Sequence, residues 1–302
     1  MSSAPPTVEA SVIIPCHNST RTLGLQLDAL ANQVGAPPFE VVIADNGSSD
    51  GLEGFLDAWR DRLTLRYVDA GRLKGAAYAR NVGMSIAAAD RWLFCDSDDV
   101  VARDWVAQGS AALDEVEVFS GPGLKVADEQ LDADFREAWR VLDAGLPPGQ
   151  PLQPGLMVPW PILLGGNSGL RRKAAQDVGG YDAGVGHAIE DNDLALRIQL
   201  SGRTIAAAPG ARILYRERGG AFAIFRRSRE AGEWHMALCK RYGLWDRSPH
   251  IRGGWWWLEL PRCVLSGVRM VVVPRSLSSI LRHPGARLGV TCPPIRSWTG
   301  SD

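Results

Sequence analysis

The chain has 302 residues, 45% of them hydrophobic and 22% charged, with 33 Lys and Arg against 34 Asp and Glu. A normal apolar fraction with nearly cancelling charge excludes a disordered polypeptide and supplies a core for one large domain or a domain and a half. The opening MSSAPPTVEA lacks a basic start and an apolar run, so no secretory signal is expected, and no stretch reaches the ~20 uninterrupted apolar residues of a spanning helix.

Short apolar runs alternate with helical patterns through the first 120 residues. Ser11–Pro15, Glu40–Ala44, Leu63–Val68 and Trp92–Cys95 are brief and rich in β-branched or aromatic side chains, without period-two alternation. That is the pattern of strands buried on both faces. Between them, Thr20–Gln33, Gly51–Arg62 and Gly75–Ala88 place apolar residues three or four apart, as in Leu23, Leu27, Leu30 and Val34. Strand and helix repeated three times predict right-handed βαβ units and a mainly parallel sheet. Asp143–Gly155 is too rich in Pro and Gly for a regular element and reads as a long loop. Helices are expected over Leu170–Val178 and Asp191–Leu200, then strands at Thr204–Ala208 and Ala211–Tyr215, then a long amphipathic helix over Phe222–Tyr242.

Five cysteines, Cys16, Cys95, Cys239, Cys263 and Cys292, are odd in number and show no C-x-x-C spacing. This argues against a disulfide framework or a zinc knot and for a reducing cytoplasm. Cys16 and Cys95 each close an apolar run and are expected to be packing residues.

Polar residues gather where the expected strands end: Pro15-Cys16-His17-Asn18, Asp45-Asn46-Gly47-Ser48-Ser49-Asp50 and Asp96-Ser97-Asp98-Asp99. The carboxyl ends of strands in an open parallel sheet line one crevice, where ligands bind. Any one cluster is also good turn chemistry, but three at successive strand ends favour a site. Asp96 and Asp98, two apart in an extended segment, point the same way. Paired carboxylates need a cation between them, and a hard divalent ion shared with a diphosphate meets that need. Asp99 is alternatively placed to cap a helix beginning near Asp104.

Taken together, these segments resemble glycosyltransferase family 2, whose nucleotide-sugar enzymes have the GT-A fold. SVIIPCHN at 11–18 is similar to that family's first strand and its P-x-Y-N turn, and VVIADNGSSD at 41–50 to its second strand and D-D-G-S-x-D turn. GAAYARNVG at 75–83 and DRWLFCDSDD at 90–99 resemble its A-R-N-x-G helix and Asp-x-Asp strand. GGNSGLRR at 165–172, GGYD at 179–182 and EDNDLALR at 190–197 resemble its acceptor-side segment and Glu-Asp motif. The likeness covers about 210 residues, and the combination is more specific than any single motif.

The resemblance implies an α/β catalytic domain over residues 1–220: a Rossmann-like, mainly parallel sheet flanked by helices. It also implies inverting, metal-dependent transfer of a sugar from a nucleoside-diphosphate sugar to an acceptor hydroxyl. Pro15, His17, Asn18, Asp45, Asn46, Arg80, Asp96 and Ser97 are then expected around the donor, with Asp45 against base or ribose. Asp98, with Asp96, would hold Mg²⁺ or Mn²⁺ at the diphosphate. Trp160, Gly166 and Asn167 would lie on the acceptor side, and Asp191 would be the general base, with Glu190 beside it as the alternative.

The chain also departs from the family pattern. His17 stands where the family has Tyr, Asn46 replaces the second Asp of the turn, and Tyr215-Arg216-Glu217-Arg218 occupies the place of a metal-binding His. The metal would then have fewer protein ligands, or His187 or His235 would reach it. The Q-x-x-R-W motif of processive synthases is absent, which favours single transfer.

Residues 1–196 carry 15 Lys and Arg against 28 Asp and Glu, and residues 197–302 carry 18 against 6. The basic extension over 221–302, expected to be helical, includes Trp255-Trp256-Trp257 among several Arg residues. It suits an anionic membrane surface at the inner face, or equally a docking face on its own catalytic body or on a second subunit. Nucleic acid is not expected, because no binding motif accompanies the charge. Two other functions remain open, a sugar nucleotidyltransferase and a non-catalytic nucleotide-sugar-binding scaffold. The first should carry a Gly-rich loop after strand one, where Pro15-Cys16-His17-Asn18 stands instead; a dinucleotide oxidoreductase fails in the same way.

Overall fold

The computed structural model describes residues 8–131, 134–155, 162–185, 189–217, 232–233 and 236–245. Trp160, His187, His235, the Trp255–Trp257 cluster, most of the helix expected at Phe222–Tyr242 and the boundary expected at residues 220/221 lie outside these residues.

Four strands come first: β1 (Ala10–Cys16), β2 (Phe39–Asp45), β3 (Leu65–Asp69) and β4 (Arg91–Cys95). They are parallel and lie in the order β3-β2-β1-β4. Their uninterrupted apolar runs are explained by cover on both faces. On one face Val12, Ile14, Val41, Ile43 and Leu93 pack against Leu23, Leu27 and Leu30 of α1 (Thr20–Ala31) and Trp105, Val106 and Leu113 of α4 (Trp105–Glu115). On the other, Ile13, Val42, Trp92 and Phe94 meet Ala77 and Met84 of α3 (Ala76–Ile86) and Leu194, Ala195 and Ile198 of α7 (Glu190–Leu200). Alternate residues of one strand thus enter two different cores, so no polar face is left to alternate.

The sheet continues past β4 through β9 (Asn167–Arg171), β6 (Val118–Ser120), β10 (Ala206–Ala207) and β8 (Gln153–Pro154). Strand β9 is antiparallel to both β4 and β6, so the half of the sheet beyond β4 is mixed. A second sheet, β5-β11-β7, joins Val100–Val101, Ile213–Glu217 and Gly123–Ala127. No helix among the described residues is long and apolar enough to cross a membrane.

Several local expectations are corrected. The helix expected over Gly51–Arg62 is one α-turn, α2 (Leu52–Phe55), followed by a 3₁₀ turn at Leu56–Trp59. Gly54, Asp57 and Asp61 give this stretch little helical propensity, while burial of Leu52, Leu56 and Trp59 fixes its path. Val34 does not continue the α1 stripe, since the helix ends at Ala31 and Val34 is exposed. The helix expected over Leu170–Val178 starts two residues later, as α6 (Arg172–Asp177), because Asn167–Arg171 is drawn into the ladder as β9. That strand has no β-branched residue to announce it.

The stretch 105–142, where the sequence suggests only a helix beginning near Asp104, contains that helix as α4, and also β6, β7 and most of α5 (Phe135–Gly145). The signal for α5 was present. Asp134 accepts hydrogen bonds from the Arg136 and Glu137 amides, and Phe135, Ala138 and Leu142 form a buried stripe. Because α5 runs on to Gly145, the long loop expected at Asp143–Gly155 starts later and is interrupted by β8.

Candidate active site

In the order β3-β2-β1-β4 the chain turns back between β1 and β4, which opens a crevice at their carboxyl ends. A cavity of about 630 Å³ occupies this position. Its walls include Pro15, Cys16 and His17 after β1, Asn46 after β2 and Asp96, Ser97 and Asp98 after β4. Arg80 from α3, Glu190 and Asp191 from α7 and Tyr215 and Arg216 from β11 complete them. Nine residues named from the sequence as candidates, Pro15, His17, Asn46, Arg80, Asp96, Ser97, Asp98, Glu190 and Asp191, are therefore brought to one wall or another by elements scattered through the chain.

Arg80 is the electrostatic centre. Its side chain is buried, its Nη2 donates to Asp96 Oδ1 at 2.8 Å, and its Nη1 donates to Asp191 Oδ1 at 3.3 Å and lies 4.0 Å from Glu190 Oε1. One guanidinium thus links the Asp-x-Asp turn to the acidic first turn of α7. Burial disfavours its charge, but Asp191, Asp96, Tyr181 and Glu190 together hold it above the ordinary guanidinium value. Burial pushes the Asp191 carboxyl up to about 7; Glu190 and Asp96 add to the rise, while Arg80 and the Gly165 amide oppose it. Among the described residues, Arg80 Nε and Glu190 Oε2 are buried without a hydrogen-bond partner, so the site has polar capacity that a ligand can satisfy.

Two consecutive glycines bring the 163–166 loop over these carboxylates. A β-carbon at Gly165 would lie 2.1 Å from Asp191 Oδ1, and one at Gly166 would lie 2.5 Å from Asp96 Oδ2. The Gly165 N–H uses this approach to donate to Asp191 Oδ2 at 3.1 Å. Asp191 does not cap α7: Ile189 holds the N-cap position, and Glu190, Asp191 and Asp193 occupy the first turn, where the helix dipole favours anions. The apolar face of α7 is Leu194, Ala195 and Ile198, while Leu200, the last residue of the helix, is 71% exposed.

Asn46 lines the cavity and shapes its neighbour loop. Its Nδ2 donates to the Ala70 and Leu73 carbonyls, and its Oδ1 accepts from the Gly75 N–H. The amide can both donate and accept, which an Asp at this position could not do when ionised. His17 Nδ1 lies 3.1 Å from the Asn46 carbonyl oxygen. Asp45 and Asn18 are not among the lining residues of the cavity. Asp45 is buried and accepts from Tyr67 Oη at 2.7 Å and the Ser48 N–H at 2.8 Å. Asn18, at a positive φ of 50°, accepts from the Ser49 N–H.

Asp99 does not cap α4, whose N-cap is Asp104; its Oδ1 accepts from the Arg216 N–H at 3.0 Å. Arg216 Nε donates to the Asp98 carbonyl at 2.8 Å, and its Nη1 pairs with Asp128. The second sheet is thereby tied to the Asp96–Asp99 turn. Asn167 is corrected more sharply. It is fully buried, donates to the Pro122 and Ala211 carbonyls and accepts from Trp105 Nε1, so its amide staples three segments and does not line the cavity. The sequence reading did not name Lys74, Gly75, Ala76, Tyr215 or Arg216 as site residues, yet all line the cavity. The first three immediately precede or open the A-R-N helix, and the last two fill the place examined for a His.

Comparison with known proteins agrees with this architecture. The family model described as Glycosyl transferase family 2 matches residues 11–179. An uncharacterized glycosyltransferase, YfnE, of Bacillus subtilis (strain 168) is 29% identical over 65% of this chain and 62% of its own length. This chain therefore spans less than two thirds of that relative. Among solved structures, residues 1–349 of S. aureus TarS in complex with UDP-GlcNAc superpose with a TM-score of 0.54 at 22% identity, over 70% of this chain and 60% of that one. The mannosyltransferase PcManGT from Pyrobaculum calidifontis, in complex with GDP-Man and Mn²⁺, gives 0.58 at 20% identity over 91% and 80%. These likenesses show the fold to be the GT-A arrangement expected from the sequence. With more than half of its length matched by the family model, the chain belongs to glycosyltransferase family 2.

Proposed function

We propose that this protein is an inverting, metal-dependent glycosyltransferase that moves one sugar from a nucleoside-diphosphate sugar to an acceptor hydroxyl. The observation that carries the reading is the one cavity in which Asp96 and Asp98 stand with a half-buried Asp191, joined to Asp96 through Arg80. Asp191, with a carboxyl pushed up to about 7, is matched to accepting a proton near neutral pH. As the acceptor oxygen attacks the anomeric carbon, Asp191 takes the hydroxyl proton. The bond from that carbon to the diphosphate breaks, and its electron pair leaves with the nucleoside diphosphate. Attack from the face opposite the leaving group inverts the anomeric centre. Gly165 and Arg80 hold the carboxylate in position.

The residues present fit a hard divalent ion. No group of three His, Cys, Asp or Glu gathers among the described residues, but Asp96 and Asp98 supply two carboxylates on the cavity wall. Mg²⁺ is ordinarily bound by one or two carboxylates, with substrate phosphates and water completing the shell. Asp98 and Asp96 would hold Mg²⁺ or Mn²⁺, which when bound offsets the charge that accumulates on the departing diphosphate. The complexes of TarS with UDP-GlcNAc and of PcManGT with GDP-Man and Mn²⁺ support a nucleotide-sugar donor in this family.

Calorimetric titration with UDP, GDP and their sugars, with and without Mn²⁺, followed by NMR of the product anomer, tests this. Metal-dependent binding and a product of inverted configuration are expected. Release of pyrophosphate would instead mark a nucleotidyltransferase, and binding without turnover a scaffold. We assign residues 1–220 to the catalytic domain and residues 221–302 to a basic extension, of which the part beyond residue 245 attaches to a cytoplasmic, anionic membrane face. Sedimentation with anionic liposomes at low salt should carry the full chain down.

A further inference from the structure

We propose that residues 238–244 form a clamp that fixes the acidic first turn of α7, with Tyr242 and Arg241 acting as positioning residues for Asp191. This rests on the transferase reading of Asp191. The segment lies outside residues 11–179, the part of the chain matched by the family model.

The clamp closes on Asp193, two positions after Asp191 on the same helix. The Asp193 carboxylate has no solvent exposure. Its Oδ1 accepts from Tyr242 Oη at 2.6 Å, and its Oδ2 accepts from Arg197 Nε at 2.7 Å. Arg241 Nε lies 3.5 Å from Oδ1, while Arg241 Nη2 donates to Asp182 Oδ2 at 2.6 Å. One side chain of this segment thus bridges α7 and the 181–185 loop. Beside the polar contacts, Leu238 and Cys239 are buried against Ile189 and Leu196, and Ile189 is the residue that precedes Glu190. Residues 236–242 are helical, and the Leu244 N–H donates to the Cys239 carbonyl to close the segment.

A fixed point is needed here. The N-cap of α7, Ile189, offers no side-chain hydrogen bond, so the first turn is not anchored by its own cap. The three acidic residues of that turn crowd one another, and Asp191 must meet both the Gly165 amide and Arg80. Those contacts hold only if the backbone stays within about 0.5 Å of its place. A helix transmits displacement along its axis as a rigid body. Anchoring the buried Asp193 therefore anchors Asp191, and charge-assisted hydrogen bonds in a buried setting suit that task.

The test uses the full chain with Tyr242→Phe, which removes one hydroxyl and keeps the ring. Hydrogen exchange should quicken about tenfold in the amides of residues 190–200 and 181–185 and stay unchanged in β1 and α1. The Kd for UDP or GDP with Mn²⁺ should stay within twofold. With whichever nucleotide sugar the wild type turns over, kcat should fall about tenfold at unchanged donor KM. Arg241→Met should act in the same direction, and Arg241→Lys should recover part of the loss, which keeps the test open if one variant fails to fold. Unchanged exchange in 190–200, exchange that rises everywhere, or faster exchange there with normal kcat would each overturn the proposal. If the wild type turns over no nucleotide sugar, the transferase reading fails instead, and the exchange data still decide whether the clamp exists.

Discussion

The backbone N–H of Gly165 donates to Asp191 Oδ2 at 3.1 Å, across a gap so small that a β-carbon at residue 165 would lie 2.1 Å from Oδ1. Only glycine lets the loop and the carboxylate share this space. Gly165→Ala must push Asp191 away from both its amide and Arg80, and a displacement near 1 Å at a catalytic group costs about 10²-fold. We expect turnover to fall by that order while nucleoside diphosphate affinity is kept. Gly54→Ala, where a β-carbon meets nothing within 4 Å, is the control and should leave kinetics unchanged.

Asp191→Asn keeps size and shape but cannot take a proton. Turnover should drop by roughly 10²-fold or more with normal donor affinity, measured by calorimetry beside steady-state kinetics. Near-normal turnover in this variant together with an inactive Glu190→Gln would move the base one residue back.

The raised Asp191 carboxyl gives a pH dependence of definite sign. The base works only when ionised, so kcat/KM should climb through about pH 7 as one proton is lost. Stability should run the other way. An acid with a folded value above its unfolded value of about 3.9 binds more protons when folded, and this costs stability as pH rises from there to about 7. Thermal melts should therefore show Asp191→Asn gaining on wild type at pH 8 relative to pH 5. A constant difference between the two pH values would contradict the assignment.

Asp98→Ala should leave the fold intact, since the backbone of that turn is held by Arg216, whose Nε donates to the Asp98 carbonyl and whose N–H donates to Asp99. It should remove the Mn²⁺-dependent part of nucleoside diphosphate binding in a calorimetric titration. Unchanged metal dependence would exclude Asp98 as a ligand.

Asn167→Ala separates a structural role from an acceptor role. The variant leaves Trp105 Nε1 and the Ala211 carbonyl without this partner, while the Pro122 carbonyl keeps the Ile213 N–H. Each buried unsatisfied group costs about 1–3 kcal/mol, so chemical denaturation should show a loss of about 3 kcal/mol or more. Acceptor KM should be unaffected in whatever protein remains folded.

The sequence by itself determined the parallel half of the sheet and the chemistry at its edge. Doubly buried strands write their environment into unbroken apolar runs, and Asp, Asn and Arg clusters at strand ends are few enough to stand out. That is why β1, β2 and β4, the α1 and α3 stripes, and Asp96 and Asp98 at the end of β4 are legible in the sequence, whereas Arg80 and Asp191, both on helices, are placed only by the resemblance to glycosyltransferase family 2. Tertiary structure alone decided what depends on contacts distant in sequence. Asn167–Arg171 becomes a strand because β4 and β6 hydrogen-bond it from both sides, and its own small residues carry no such preference. Asn167 faces inward because a strand's pleat sends alternate side chains to opposite faces, and its face lies over Trp105. Arg80 could be placed near a ligand from its motif, but its bridging of Asp96 and Asp191 needs α3, β4 and α7 packed together. The same packing partly buries Asp191 and raises its carboxyl, because desolvation is a property of the surroundings and not of the residue.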